Sequence, residues 1–331
     1  MPNVAIVGAT GAVGQEFLKI LAERNFPVDE LRLLATKRSA GKKINWQGRE
    51  IEVEETTHQS FKNIDIALFA GGSSSTEFAE AAVNSGAVVI DNSSAFRLNP
   101  EVPLVVPEVN PEDVKWHKGI IANPNCSTII ANVALKPIYD LAGIKRIVVS
   151  TYQAVSGAGR EGIEELEAQI HAIANGGEIV SQAFPYQIAS NLIPRIDVFG
   201  EGDYTKEEWK MVKETRKIFH VPDMAITATT VRVPVFRSHS ESINIETERK
   251  VSVAEVKAVL SKAAGVKVID DPTQDKYPMP LYTSDTDEVY IGRIREDFSI
   301  ANGLNIWVVG DQIRKGAATN AVQIAELLLK K

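Results

Sequence analysis

A single cysteine stands in 331 residues. Alone it excludes an intrachain disulfide and a thiolate zinc site, and it fits a reducing compartment. Cationic excess is missing too. Thirty-six Lys and Arg face 43 Asp and Glu, a formal net charge of −7, so there is no electrostatic footprint for nucleic acid or an anionic membrane. Any anionic ligand must be met by a few placed cations. No apolar run approaches the ~18 residues of a membrane span. The amino terminus lacks a signal pattern and runs straight into strand-like Asn3-Val4-Ala5-Ile6-Val7-Gly8, so the expected location is cytoplasmic. Internal repeats and low-complexity tracts are absent. The five histidines have no metal-ligand spacing, and no metal is expected.

What is present is ordinary for a globular chain: 44% hydrophobic and 24% charged residues, with length for about two domains and a full core without staples. Val4 to Val7, Leu31 to Ala35, Ile64 to Ala70 and Ala87 to Ile90 read as buried strands, and Gln15 to Arg24 and Thr76 to Ser85 as helices. That alternation predicts a parallel α/β sheet. The pattern changes near residue 125. A long apolar-periodic helix runs from Cys126 to about Leu141, then come strand-like Ile147 to Ala154 and helices over about Glu161 to Ala174 and Thr205 to Phe219. Alternating stretches at Ala225 to Val233, Ser242 to Glu248, Glu288 to Ile294 and Ile300 to Val309 suggest a largely antiparallel sheet with helices on one face. The Ala-rich face of a last helix, from about Ile313 to Leu329, can pack back on the first domain.

Gly8-Ala9-Thr10-Gly11-Ala12-Val13-Gly14 follows the first strand and opens a helix. This is the context of a dinucleotide fingerprint, in the G-x-x-G-x-x-G variant. Glycines permit the tight turn and close backbone approach to a pyrophosphate, which the helix N-terminus attracts. An NAD site offers an acid at the end of the second strand for the ribose 2′-OH. Here Leu33-Leu34-Ala35 runs into Thr36-Lys37-Arg38-Ser39. Arg38 and Ser39 suit a 2′-phosphate instead, which favours NADP.

Asn123-Pro124-Asn125-Cys126-Ser127-Thr128 precedes the long helical pattern. Pro124 discourages helix before it, and Asn125 or Ser127 can cap. Cys126 then falls in a first helical turn, where unpaired N–H groups favour thiolate and can stabilise an oxyanion. A small buried hydrophobe is the competing reading. A cysteine nucleophile needs a proton-transfer partner. His58, His117, His171 and His220 lie in polar segments. His239 follows the alternating run from Val231 and is the candidate base.

Taken together the motifs resemble the aspartate-semialdehyde dehydrogenases, over essentially the full length. They are the glycine turn, Asn92-Ser93-Ser94-Ala95-Phe96-Arg97, Val106-Pro107-Glu108-Val109-Asn110, Asn123 to Thr128, Gln153-Ala154-Val155-Ser156-Gly157-Ala158-Gly159, and Arg232 through His239-Ser240-Glu241. A sister family, N-acetyl-γ-glutamyl-phosphate reductase, typically carries Gly and Tyr around its cysteine, where this chain has Asn125 and Ser127. The resemblance implies a Rossmann-type NADP-binding domain over 1–125, with helix 313–331 packed back on it. It implies an α+β catalytic and dimerisation domain over 126–312, its sheet mostly antiparallel. The implied reaction is NADPH-dependent reductive dephosphorylation of L-aspartyl 4-phosphate to L-aspartate 4-semialdehyde and phosphate. That step serves lysine, diaminopimelate, threonine, methionine and isoleucine biosynthesis, in a homodimer or homotetramer.

By motif position Cys126 is the acyl-thioester nucleophile, His239 the acid/base and Gln153 the residue orienting the intermediate. The resemblance likewise implies Arg232 as the clamp on the substrate α-carboxylate, Arg97 with Lys210 and Asn125 as phosphate ligands, and Glu207 as the partner of the ammonium. Gly8, Thr10, Gly11, Ala12, Val13, Arg38, Ser39, Ser156, Gly157 and Gln312 are the implied cofactor contacts. Two rivals stand beside this: the sister reductase, whose blocked amine needs no acid at Glu207, and a silent NADP-binding sensor, which has no need of Cys126, Gln153 and His239 together.

Overall fold

The computed structural model describes residues 1–329. Lys330 and Lys331, the end of the expected helix 313–331, lie outside the described residues. Two compact units emerge, one of Met1–Asn125 with the chain from Gly316 on, the other of Cys126–Lys315.

The first unit opens with β1 (Val4–Val7), α1 (Ala12–Glu23) and β2 (Leu31–Ala35). The hairpin of β3 (Lys43–Trp46) and β4 (Arg49–Glu55) follows, then β5 (Ile66–Phe69), α2 (Ser74–Asn84), β6 (Val88–Asp91) and β7 (Ile120–Ala122). The sheet order is β3-β4-β2-β1-β5-β6-β7, parallel except for the β3–β4 pair. β1 is buried on both faces, which is why it reads as a continuous apolar run. Val4 and Ile6 join Phe17, Ile20 and Leu21 of α1; Ala5 and Val7 join Phe78, Ala79 and Ala82 of α2. The chain passes from β1 to β2 on one side and later to β5 on the other, so a crevice opens at the carboxyl end of β1.

The hairpin has no counterpart in the sequence reading. Its strands are largely exposed and charged, so no buried run betrays them. Gln47 and Gly48 turn it with positive φ of 50° and 78°, and Trp46 covers α1 by donating to the Leu18 carbonyl at 2.8 Å.

The second unit runs α3 (Cys126–Ala142), β8 (Ile144–Gln153), α4 (Arg160–Asn175), α5 (Lys206–Ile218), β9 (Ala225–Arg232), β10 (His239–Thr247), α6 (Val253–Leu260), β11 (Val266–Val268), α7 (Pro280–Thr283), β12 (Val289–Asp297) and β13 (Gly303–Gly310). Its sheet order is β11-β12-β13-β10-β8-β9. The three inner pairs are antiparallel and the two edge pairs parallel. The alternating stretch from Val231 to Glu241 is not one strand: β9 ends at Arg232 and β10 opens at His239. Helices α3, α5 and α6 pack over the sheet. On its other face Val148, Tyr152, Asn244 and Trp307 stay half-buried, and the rings of Tyr152 and Trp307 meet at 5.5 Å.

The last helix, α8 (Thr319–Leu329), belongs to the first unit. Ala321, Val322, Ile324 and Ala325 share a cluster with Phe17 and Leu21, and Arg24 pairs with Glu326 at 2.7 Å. It starts later than the sequence periodicity suggested, because Arg314–Ala318 form a wider π-type turn and Asp311 accepts from the N–H groups of Ile313 and Arg314.

Candidate active site

In the first unit the glycine turn follows from backbone geometry. Gly8 has φ +85°, and a Cβ at Gly14 would lie 2.7 Å from the Ala9 Cα. Gly11 precedes α1 with no side chain capping the helix. The first-turn N–H groups therefore stay available to an anion. Thr10 and Val13 are half-buried, Gly11 and Ala12 exposed. Beside the turn lies a cleft of about 430 Å³ lined by Gly8, Ala35, Thr36, Lys37, Gly71 and Ser74, among others. At the β2 end its wall is Thr36 and Lys37; next in the chain Arg38 is exposed and Ser39 buried. No acid follows β2, and a glycine cradle beside a bare helix terminus fits a dinucleotide phosphate.

Arg97 is buried in the same unit. It donates to the backbone oxygens of Asn123 at 2.9 Å and Asn92 at 2.7 Å. Those two asparagines are themselves linked: Asn123 Nδ2 donates to Asn92 Oδ1 at 2.6 Å, and Asn320 Nδ2 to Asn123 Oδ1 at 2.7 Å. The carbonyls thus fix the direction of the guanidinium. Asn320 escaped the sequence reading because a lone polar residue in an apolar helix carries no motif. Asn125 is buried at the end of this unit.

In the second unit the candidate side chains of the row come from strand ends. Gln153 ends β8, Arg232 ends β9, Gly310 ends β13 and His239 begins β10. Gln153 pairs with Arg232 and His239 with Gly310. Ser240 pairs with Tyr152, so His239 comes opposite Gln153. The four form one row across four strands, all facing the helix-covered side. A Cβ on Gly310 would meet Ile130 Cγ1 at 3.0 Å, so α3 descends closely on the row's end. Cys126, first residue of α3 and partly exposed, shares the Ile130 stripe four residues earlier. Asn125 precedes the helix and Ser127 lies inside it, its hydroxyl buried without a partner.

Charge organises the row. Burial lowers the Arg232 pKa, while Glu207 and a Cys126 thiolate oppose that shift. The attraction is mutual, so the guanidinium favours ionised sulfur. His239 is fully buried, and burial first and Arg232 second push its pKa well below the usual histidine value. The ring is therefore neutral at physiological pH. Gln153 accepts from the Thr151 hydroxyl at 2.9 Å and donates to Glu207 at 3.2 Å.

Glu207 and Lys210 lie on one face of α5, whose start is held by a capping box between Thr205 and Glu208. Lys210 reaches both Glu207 and Asp197 at 3.0 Å. Burial works against its ammonium, but these carboxylates outweigh it and raise its pKa. Asp197 was not foreseen: it sits in a loop with φ +68° and no motif points to it. Gln312 joins Ser156 through their side chains and accepts from the Ser238 N–H at 2.9 Å. Gly157 lies against the row, where a Cβ would come 2.7 Å from Arg232 Nη1 and 3.3 Å from His239 Cε1. The other histidines are exposed at 58, 171 and 220 and half-buried at 117. Among the described residues no cluster of His, Cys, Asp and Glu could hold a metal, and no helix is long and apolar enough to cross a membrane.

Family models match both parts of the chain: "Semialdehyde dehydrogenase, NAD binding domain" over residues 3–117 and "Semialdehyde dehydrogenase, dimerisation domain" over 135–315. An aspartate-semialdehyde dehydrogenase of Aquifex aeolicus (strain VF5) is 61% identical across 99% of this chain and 98% of that protein. The chain belongs to the aspartate-semialdehyde dehydrogenase family. Among solved structures of the family, aspartate semialdehyde dehydrogenase II of Vibrio cholerae complexed with ASA aligns at a TM-score of 0.97 and 49% identity, covering 100% of this chain and 99% of that one. The Candida albicans aspartate semialdehyde dehydrogenase with NADP aligns at 0.76 and 27% identity, over 99% and 98%.

Proposed function

We propose that this chain catalyses NADPH-dependent reductive dephosphorylation of L-aspartyl 4-phosphate to L-aspartate 4-semialdehyde and phosphate. The observation that carries the reading is the strand-end row, where Arg232, Gln153 and a neutral buried His239 gather beside Cys126. In the first step the Cys126 sulfur forms a C–S bond to the acyl carbon, the bond from that carbon to the bridging oxygen breaks, and phosphate leaves with that oxygen and takes up one proton from water. When bound, NADPH supplies the hydride that reduces the thioester. Return of the electron pair from oxygen then breaks the C–S bond and frees the aldehyde. Gln153 orients the acyl group, and His239 brings a proton-bearing nitrogen to the carbonyl oxygen.

Arg232 offers the paired N–H geometry a carboxylate prefers. Glu207 meets the substrate ammonium, which favours a free amine over the N-acetylated substrate of the sister reductase. Arg97, Asn125 and Lys210 are assigned to phosphate. The turn from Gly8 through Thr10, Gly11, Ala12 and Val13 would hold the cofactor phosphates, with Arg38 and Ser39 toward a 2′-phosphate and Ser156, Gly157 and Gln312 toward the nicotinamide end. Lack of an acid after β2 supports NADP, as does the NADP complex of the Candida albicans relative. The half-buried sheet face with Tyr152 and Trp307 supports a homodimer formed through it. The single cysteine supports a cytoplasmic location. The deciding assay is phosphate-dependent reduction of NADP by aspartate semialdehyde, repeated with NAD and with N-acetyl-glutamate semialdehyde. Activity confined to the acetylated aldehyde would overturn the reading.

A further inference from the structure

Asp197 holds a backbone conformation that few side chains adopt, with φ +68°. Such a conformation persists only where the surroundings enforce it, and aspartate tolerates it better than most residues. The enforcing contacts are these. The Asp197 carbonyl accepts from Arg195 Nε at 3.0 Å, and Oδ1 accepts from the Val198 N–H at 2.8 Å. The Val198 carbonyl in turn accepts from the N–H of Lys206, the first residue of α5, at 2.9 Å. A bridge between Phe199 and Thr205 closes the loop. Both carboxylate oxygens are thereby assigned, Oδ1 to the backbone and Oδ2 to Lys210 at 3.0 Å. The acid is tied to the start of the same helix that carries Glu207 and Lys210.

Lys210 needs this second acid if Glu207 has another task. Glu207 Oε2 takes the Lys210 ammonium at 3.0 Å, and Oε1 takes the Gln153 amide at 3.2 Å. The Arg232 charge also acts on it. A substrate ammonium arriving at Glu207 therefore competes with Lys210 for one carboxylate. One cation between two carboxylates leaves a net negative charge for that ammonium; one cation on Glu207 alone leaves none. An amine cation has three donors, so Lys210 keeps one for a phosphate oxygen. Burial works against the Asp197 carboxylate, but the Val198 N–H and Lys210 outweigh it and lower its pKa, with Lys206 adding to the effect. The acid thus stays ionised beside its partner.

We propose that Asp197 is a positioning residue for the phosphate-binding ammonium: it holds Lys210 over the first turns of α5, so that Glu207 can meet the substrate ammonium without drawing Lys210 away from phosphate. The proposal rests on the assignment of phosphate to Lys210 and of the ammonium to Glu207.

The test is calorimetric titration of the whole chain with inorganic phosphate, in wild type, Asp197→Asn, Lys210→Met and the double variant. Asparagine keeps the left-handed turn and an oxygen for the Val198 N–H but loses the charge; Asp197→Ser takes its place should that variant not fold. Lys210→Met should weaken phosphate binding, with Arg97 and Asn125 left to hold the anion, and Asp197→Asn should weaken it about threefold. In the Lys210→Met background the change at Asp197 should have no further effect, because an acid that acts through Lys210 has nothing left to hold. In the phosphate-dependent assay KM for phosphate should rise in Asp197→Asn by a larger factor than kcat falls. Weakening by the same factor in both backgrounds is the mark of a loop that only supports the fold, and overturns the proposal. Unchanged or tighter binding in Asp197→Asn overturns it too. No measurable phosphate binding in wild type, or binding unchanged in Lys210→Met, overturns the phosphate assignment and the proposal with it, which tells the two failures apart.

Discussion

Cys126, Gly157 and Glu241 carry the sharpest consequences of a single side chain. Cys126→Ala removes the proposed nucleophile from a partly exposed helix start, so turnover should vanish while NADP binding, measured by fluorescence titration, stays near wild type. Retained turnover would exclude the thioester. Gly157→Ala pushes a methyl group toward Arg232 and His239. A displacement of that kind should lower kcat/KM about 10²-fold with the fold intact by circular dichroism; unchanged kinetics would show that the row tolerates the contact.

Glu241 is fully buried, neither carboxylate oxygen has a partner, and burial alone raises its pKa well above the ordinary glutamate value. The folded chain therefore keeps a proton that the unfolded chain releases above about pH 4.3. Glu241 thus costs stability progressively as pH climbs from there toward its folded pKa. Relative to Glu241→Gln, the wild type should lose stability as the pH is raised from about 5 in urea unfolding. A gap that does not change with pH would mean that the acid is ionised and solvated.

Among the elements, α5 tests how local chemistry supports the site. Its Thr205 cap accepts from the Glu208 N–H, and Glu208 returns to the Thr205 N–H; the same Glu208 accepts from the Thr230 N–H of β9 at 3.0 Å. Thr205→Ala should cost about 1 kcal/mol, seen as a lower thermal midpoint, with a raised KM because Glu207 and Lys210 ride on that helix. An unchanged midpoint would remove the cap from the account.

The elements differ in how openly the sequence displays them. β1 shows itself as a continuous apolar run, and α1 and α3 because their apolar residues follow the helical period. The β3–β4 hairpin does not, since only Val53 is fully buried and Ile44, Trp46 and Ile51 pack on the core while still partly exposed. The break between Arg232 and His239 is hidden as well: the alternation of Val231 to Phe236 continues through a connection that turns, at Ser238 with φ +72°.

For the whole molecule, the expected assembly has a direct readout. Trp307 is half-buried on the open sheet face, where its indole donates to the Pro278 carbonyl at 3.0 Å. Trp307→Glu would place a charge on the proposed interface and should shift sedimentation equilibrium toward monomer. The wild-type mass in the same run distinguishes dimer from tetramer. An assembly unaffected by the charge would move the interface elsewhere.

Residue order alone displayed the local features: a glycine turn after a first strand, one cysteine opening a helix, and arginine and histidine near strand ends. Those signals are local, because backbone strain, helix termini and capping act over a few residues. Pairing register and packing decided the rest. They set Gln153, Arg232, His239 and Gly310 in one row, brought unforeseen Asp197 to Lys210, and aimed the Ala154 amide at one nitrogen of His239. Such contacts join residues far apart in the chain, and no spacing rule reaches across that separation.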